Sequence, residues 1–382
     1  MTTTLTPIPF VDLKLQQQPI QTQIEQAIQA VIDKGDFVLG QVLGEFESAF
    51  AQASGVKYGI GVACGTDAIA LGLQACGIGQ GDEVILPANT FIATAIGVLH
   101  SGATPILVDC DPQTALIDLE AAQKAITSKT KAIIPVHLYG QMVSPRALME
   151  LANTDNLLIF EDAAQAHLAE REGYRAGSVG MAAAFSFYPS KNLGAFGDGG
   201  MVITRSENVA QTLKSLRNYG APKKYVHMEL GTNSRLDTIQ AAILKVKLPH
   251  LEGWNRDRNF AAEQYDTGLR SLREQGIIPI ENQCENGHVY HLYVIRVTDE
   301  CAVERDTLQA KLSEMGVQTG IHYPIPCHLQ PAYKHLGYSE GDFPMAEMLS
   351  RQILSLPMYP GLNNDQINYV VASIKSVLGV HR

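Results

Sequence analysis

The chain has no run of apolar residues long enough to cross a bilayer, so a transmembrane helix is not expected. It has no CxxC pair. Its six cysteines, Cys64, Cys76, Cys110, Cys284, Cys301 and Cys327, are scattered, which points to reduced thiols rather than a zinc site or a disulfide framework. It has no basic excess: 29 Lys and Arg against 39 Asp and Glu give a formal net charge of −10, which argues against a nucleic-acid partner. A locally positive pocket for a small anion remains compatible with that charge. Residues Met1 to Phe10 lack both a basic start and an apolar core, so no secretory signal is expected and a cytoplasmic location is. Gly59 and Gly61 make only a fragment of GxGxxG, which counts against a nicotinamide-dependent dehydrogenase. Internal repeats and low-complexity tracts are also missing.

What is present is ordinary globular material: 382 residues, 46% hydrophobic and 18% charged, enough for one large domain and a smaller one. Ile20, Ile24, Ala27, Ile28 and Val31 recur at helical spacing over 20–33. Short apolar runs then alternate with helical segments. Strands are predicted at 58–63, 83–86, 105–108, 132–136, 157–160, 183–188 and 201–204, with helices at 67–75 and 93–100. Runs such as IIPV and LLIF read as strands buried on both faces, so an α/β domain with a mainly parallel sheet is expected. Residues 235–273 read as helical, interrupted at Pro249. Beyond them a strand at 289–297 and helices at 305–315 and 365–378 suggest a smaller α+β domain. The division is drawn as 1–255, with the N-terminal helix, and 256–382.

The richest stretch is Phe185-Ser186-Phe187-Tyr188-Pro189-Ser190-Lys191-Asn192-Leu193-Gly194, followed by Gly197-Asp198-Gly199-Gly200. Side chains alternate along extended backbone, so Ser186 and Tyr188 share a face and, with Lys191 nearby, a hydroxyl, a phenol and an amine can line one pocket. Taken alone, Lys191 would read as a solvated lysine, but surface lysines rarely keep such apolar company. In Leu157-Leu158-Ile159-Phe160-Glu161-Asp162-Ala163-Ala164-Gln165-Ala166-His167 two acids end an apolar strand, where ligands of open α/β sheets bind. A buried Asp162 needs a partner, and a protonated pyridine nitrogen would be one. A helix N-cap is the plainer role for Asp162. Glu161 reads as the structural acid of the pair, and His167 as a packing or supporting residue.

Val62-Ala63-Cys64-Gly65-Thr66-Asp67-Ala68 carries a strand into a helix, and such a helix start is an anion site as well as a cap. Phe91, after another strand, is placed either to stack on a flat ring or to fill the core. Asn233, Ser234 and Arg235 open the long helical region, where they bind phosphate or carboxylate or simply cap a turn.

Together these segments resemble the fold type I pyridoxal 5'-phosphate (PLP) enzymes. More narrowly, they resemble the DegT/DnrJ/EryC1/StrS sugar aminotransferases, from Pro9-Phe10-Val11-Asp12-Leu13 to the closing helix. The resemblance implies a large domain with a mainly parallel seven-stranded sheet between helices. It makes Lys191 the lysine that carries PLP and Asp162 the partner of its ring nitrogen. Gln165 falls beside the ring hydroxyl, and Gly65, Thr66 and Ser186 on the phosphate. Phe91 stacks on the ring. Asn233 reaches the phosphate of a neighbouring subunit, which implies a homodimer with shared active sites.

The implied chemistry is ping-pong transfer from L-glutamate to a keto sugar carried on a nucleotide diphosphate, often dTDP. Freed Lys191 moves the proton. The stretch 188–200 resembles the members that act at C3 of 3-keto-6-deoxy sugars, with action at C4 as the alternative. Tyr188 is then a candidate hexose contact. Lys224 and Tyr225 of the Lys223-Lys224-Tyr225 stretch, Arg235, and His322 and Tyr323 of the 320–326 stretch are candidate substrate contacts. Lys223 and Lys224 read equally well as a solvated loop. A dehydratase of the same fold would carry histidine at position 191, and a non-catalytic regulatory relative would have lost Lys191 or Asp162; both residues are present.

Overall fold

In a computed structural model, residues 7–380 are described; the first six residues of the Met1–Phe10 stretch lie outside them. Seven strands form the main sheet: β1 (Tyr58–Val62), β2 (Glu83–Pro87), β3 (Thr104–Val108), β4 (Thr130–Ile133), β5 (Leu158–Asp162), β6 (Ala182–Ser186) and β7 (Gly200–Thr204). Their order is β1-β7-β6-β5-β4-β2-β3. Five strands run parallel from β6 to β3. Only β7 opposes its neighbours, pairing antiparallel with β1 and β6.

Of the runs read as buried on both faces, Ile133, Ile134 and Phe160 are fully enclosed and Leu157 and Ile159 are buried, while Leu158 is half-buried. β4 stops at Ile133, short of the predicted end, because Pro135 lacks a backbone N–H; Val136 returns only as an isolated bridge to Asp162. The helix Gly65–Ala75 lies hard against the sheet, since a Cβ on Gly72 would stand 2.4 Å from the Phe160 ring. The first turn of this helix borders the site.

The long helical region is present as Thr238–Lys247 and Leu251–Leu269, joined at Pro249 by a short 3-10 turn. The 255/256 division falls inside the second of these helices. Leu251 packs in the large core, whereas Ala261, Ala262, Tyr265 and Leu269 pack in a second core with the closing helix Asn364–Val377. That second core covers a three-stranded antiparallel sheet of β8 (Ile277–Pro279), β9 (Tyr293–Val297) and β10 (Ile353–Leu356). Ile8 also lies in it, pairing with Val317, so the N-terminal segment reaches across to the smaller unit.

The strand predicted over 289–297 is shorter. It starts at Tyr293, because Tyr290 sits at φ +40°, a conformation no strand accommodates. No helix among the described residues is long and apolar enough to cross a membrane. All six cysteines are free.

Candidate active site

A cavity of about 330 Å³ opens at the carboxyl ends of β1, β2, β5 and β6, within the size range of small-ligand sites. Gly65, Thr66, Phe91, Asp162, Gln165, Ser186, Tyr188, Lys191, His322 and Tyr323 all line it, from five separate stretches of sequence.

At one end the helix Gly65–Ala75 points its N-terminus into the cavity. A Cβ on Gly65 would lie 2.8 Å from the Cβ of Ser186, so only glycine lets the helix start meet the end of β6 there. The Ser234 hydroxyl braces this turn, donating to Asp67 Oδ2 at 2.6 Å and accepting from the Ala63 N–H at 3.1 Å. Backbone N–H groups, a helix dipole and the Thr66 and Ser186 hydroxyls together suit a phosphate.

Asp162 lies deep in the cavity and is 5% exposed. Its Oδ2 accepts from the Thr94 hydroxyl at 2.8 Å and its Oδ1 from the Ala164 N–H at 3.1 Å. Among the described residues it has no ion-pair partner, and burial raises its pKa against the pull of those bonds and of Lys191. A buried carboxylate without its own cation fits a protonated ring nitrogen. Glu161, one residue earlier, is the structural acid: it accepts from the N–H groups of Gly177, Val179 and Gly180, each at 2.8 Å, and from His137 at 2.9 Å.

Burial pushes the Lys191 amine down to about 8, partly offset by the charge of Asp162. Phe91 is half exposed at the cavity wall, its ring centroid 5.2 Å from that of Tyr323. Gln165 is fixed at both ends of its amide, accepting from the Tyr139 N–H at 2.7 Å and donating to the Tyr323 hydroxyl at 3.1 Å. His167 does not line the cavity; it is enclosed by Phe50, Phe185 and Phe187 and hydrogen-bonds the Ser186 carbonyl at 2.9 Å.

The remaining sequence candidates lie outside this cavity within the single chain. Asn233 is exposed and pairs with Asn218. Arg235 donates to Asn218 Oδ1 at 2.7 Å and covers the Tyr219 ring. Lys224 sits over the ring of Tyr225, which is 83% exposed. Thr94 and His291 are among the lining residues that the sequence reading did not single out. Thr94, which holds Asp162, sits one turn beyond Thr90 and bonds its hydroxyl at 2.9 Å. His291 lies in an apolar stretch that reads as core.

A seven-stranded α/β sheet with a lysine, a buried aspartate and an anion-binding helix start around one cavity defines a fold type I PLP-dependent aminotransferase. The chain belongs to the DegT/DnrJ/EryC1/StrS aminotransferase family, whose model matches residues 18–375. It is 44% identical to a pleiotropic regulatory protein of Geobacillus stearothermophilus, over 96% of this chain and 97% of that one. It is 43% identical to the dTDP-3-amino-3,4,6-trideoxy-alpha-D-glucose transaminase of Streptomyces venezuelae, over 96% and 95%. Among solved structures, S. venezuelae DesV superposes with a TM-score of 0.93 at 42% identity, covering 99% of both chains. NtdA of Bacillus subtilis, solved with bound cofactor PMP, superposes with a TM-score of 0.90 at 34% identity, covering 99% of this chain and 86% of that one. The protein is therefore a PLP-dependent sugar-nucleotide aminotransferase.

Proposed function

We propose that this enzyme moves the amino group of L-glutamate onto a nucleotide-linked keto sugar, a dTDP-3-keto-6-deoxyhexose by preference, working as a homodimer with shared active sites. The observation that carries the reading is the convergence of Lys191, Asp162 and the Gly65–Thr66 helix start on one cavity. The 3-amino sugar in the name of the 43%-identical Streptomyces relative supports C3 over C4. The regulatory name of the Geobacillus relative does not favour a non-catalytic role here, since Lys191 and Asp162 are both retained and both face the cavity.

Gly65, Thr66 and Ser186 would hold the cofactor phosphate, Asp162 its ring nitrogen and Phe91 the face of the ring, with Lys191 as the covalent anchor. Bound PLP supplies an electron sink for the bonds of the donor's α-carbon. Lys191 Nζ, once free, would carry the proton from that carbon to the cofactor, and an amine brought down to about 8 by burial is suited to both taking and giving it near neutral pH. Gln165 orients Tyr323 beside Phe91 in the cavity wall. Asn233, exposed and outside its own chain's cavity, is available to a neighbouring subunit.

Purified protein given PLP should develop the absorbance band of a lysine-linked cofactor, and borohydride should abolish it. A Lys191→Ala protein that kept a reducible band would sink the anchor assignment. Glutamate-dependent amination of dTDP-3-keto and dTDP-4-keto sugars tests the acceptor. Turnover of the 3-keto sugar alone is expected, and turnover of neither would remove the substrate claim.

A further inference from the structure

We infer that His291 is a positioning residue for Lys191, its Nε2 lone pair serving as the resting acceptor for the Lys191 amine whenever that amine is free. The inference rests on the reading of Lys191 as cofactor anchor and proton carrier. It starts from an otherwise unexplained arrangement behind the cofactor cavity.

Asn192, next to Lys191, is buried, and its amide has only one possible orientation. Its Nδ2 lies 2.8 Å from the Val289 carbonyl, which can only accept, so the nitrogen must face Val289. The same nitrogen donates to Asn255 Oδ1 at 2.9 Å. Asn255 confirms the direction, because its own Nδ2 donates to the His167 carbonyl at 3.0 Å. Asn192 Oδ1 therefore faces His291 Nδ1, at 3.2 Å, and that ring nitrogen must carry the proton. In the neutral ring Nε2 is then the unprotonated nitrogen.

Two further features fix the ring in place. Tyr290 holds φ +40°, a costly conformation for a bulky residue, and such conformations persist only where the surroundings impose them. The imposing group is Arg258, fully buried, whose Nη1 donates to the carbonyls of Tyr290 at 3.0 Å, His291 at 3.4 Å and Met358 at 3.1 Å. His291 is thus held by backbone and side chain at once, and it lines the cavity with Lys191. The charged and titratable groups around it are Lys191, Arg258, His322 and His167. Burial first, and then the Lys191 charge, keep the imidazole neutral.

A packing histidine would need neither a fixed tautomer nor a place on the cavity wall. With this tautomer, the ring carries an unprotonated Nε2 in a cavity wall that it shares with Lys191, the neighbour of the residue that fixes it.

Two substitutions separate acceptor from packing. His291→Asn keeps a donor for Asn192 near the Nδ1 position and removes the Nε2 acceptor; His291→Gln can restore an acceptor near Nε2. The first readout is capture of PLP by cofactor-free protein, followed by absorbance against pH, since only the neutral amine attacks. Losing an acceptor for the ammonium should move the capture midpoint of His291→Asn roughly one pH unit lower, the worth of one hydrogen bond to a charged group. His291→Gln should stay near the parent. The second readout is a single-turnover reaction with glutamate, expected to slow roughly ten- to hundredfold in His291→Asn and less in His291→Gln. A His291→Asn protein with unchanged midpoint and rate overturns the inference. So does equal loss in both variants with a lowered melting temperature, which would make His291 a packing residue. If the parent shows no borohydride-sensitive band, the reading of Lys191 fails first, and the two failures remain distinct.

Discussion

Lys191 and Asp162 each put a charge among apolar or small neighbours, Asp162 buried and Lys191 half-buried, and that pattern is legible in the sequence. Thr94 and His291 were not legible, because a threonine in an apolar helix and a histidine in an apolar stretch read as core. Only their partners across space, Asp162 and Asn192, give them a role. The Lys191–Asp162 pair makes a prediction with a definite sign. Burial lowers the Lys191 pKa to about 8, and the negative charge of Asp162 holds it from falling further. In cofactor-free protein the neutral amine fraction should therefore fall about tenfold for each pH unit below 8. Asp162→Asn removes the charge, so the midpoint of PLP capture should move to lower pH. Transamination should drop roughly a hundredfold or more, as expected when a charge stabilising the reacting system is lost. Capture followed by stopped-flow absorbance from pH 6 to 10 measures the first effect, and a midpoint that rose would contradict the role given to the Asp162 charge.

The strands and helices that carry the site were read closely because their signals are local. β1, β2, β3, β5, β6 and β7 fall within a few residues of the apolar runs, and the helix after β1 begins at the glycine that starts the anion turn. The errors lie where tertiary contacts decide. Residues 289–292 have strand-like composition, yet the bend at Tyr290 and the grip of Arg258 exclude them from β9. β10 follows directly on the helix Pro344–Gln352, and neither element is among those read from the sequence. At this scale the junction of β1, β6 and the helix Gly65–Ala75 is the testable element. Gly65→Ala should push against Ser186 and open the cradle. Loss of one hydrogen bond to a charged phosphate should weaken PLP binding roughly ten- to hundredfold. Gly44→Ala, on an exposed helix position with nothing within 4 Å of a new Cβ, should instead stabilise the protein by about 0.5–1 kcal/mol without changing PLP affinity. Cofactor titration and thermal melts of both variants check the pair, and equal PLP affinity for Gly65→Ala and parent would remove the phosphate assignment.

At the scale of the whole molecule, Asn233 stands away from the cavity of its own chain, and the family resemblance assigns it to the phosphate of a neighbouring subunit. Tyr219, Tyr225, Val226, Met228 and Leu230 expose large apolar surfaces on the segment leading to Asn233, and Leu230 is entirely uncovered. Apolar exposure of this kind fits an interaction surface. In a two-fold dimer the same patch is used twice, so each chain would lend this segment to the other's site. Nothing in a single sequence separates that arrangement from a solvated loop, since both are polar at the lysines and apolar at the tips. Subunit mixing separates them. Lys191→Ala and Asn233→Ala should each be impaired alone, the first completely. In a mixed dimer one site combines Lys191 of one chain with Asn233 of the other and is intact, while the second site carries both defects. After free exchange of equal amounts, half the dimers are mixed and each has one intact site, so activity should recover to about a quarter of the parent's. Activity measured before and after exchange, with the dimer confirmed by sedimentation, decides it. A mixture no more active than the mean of its two components would place Asn233 within its own subunit or outside the reaction.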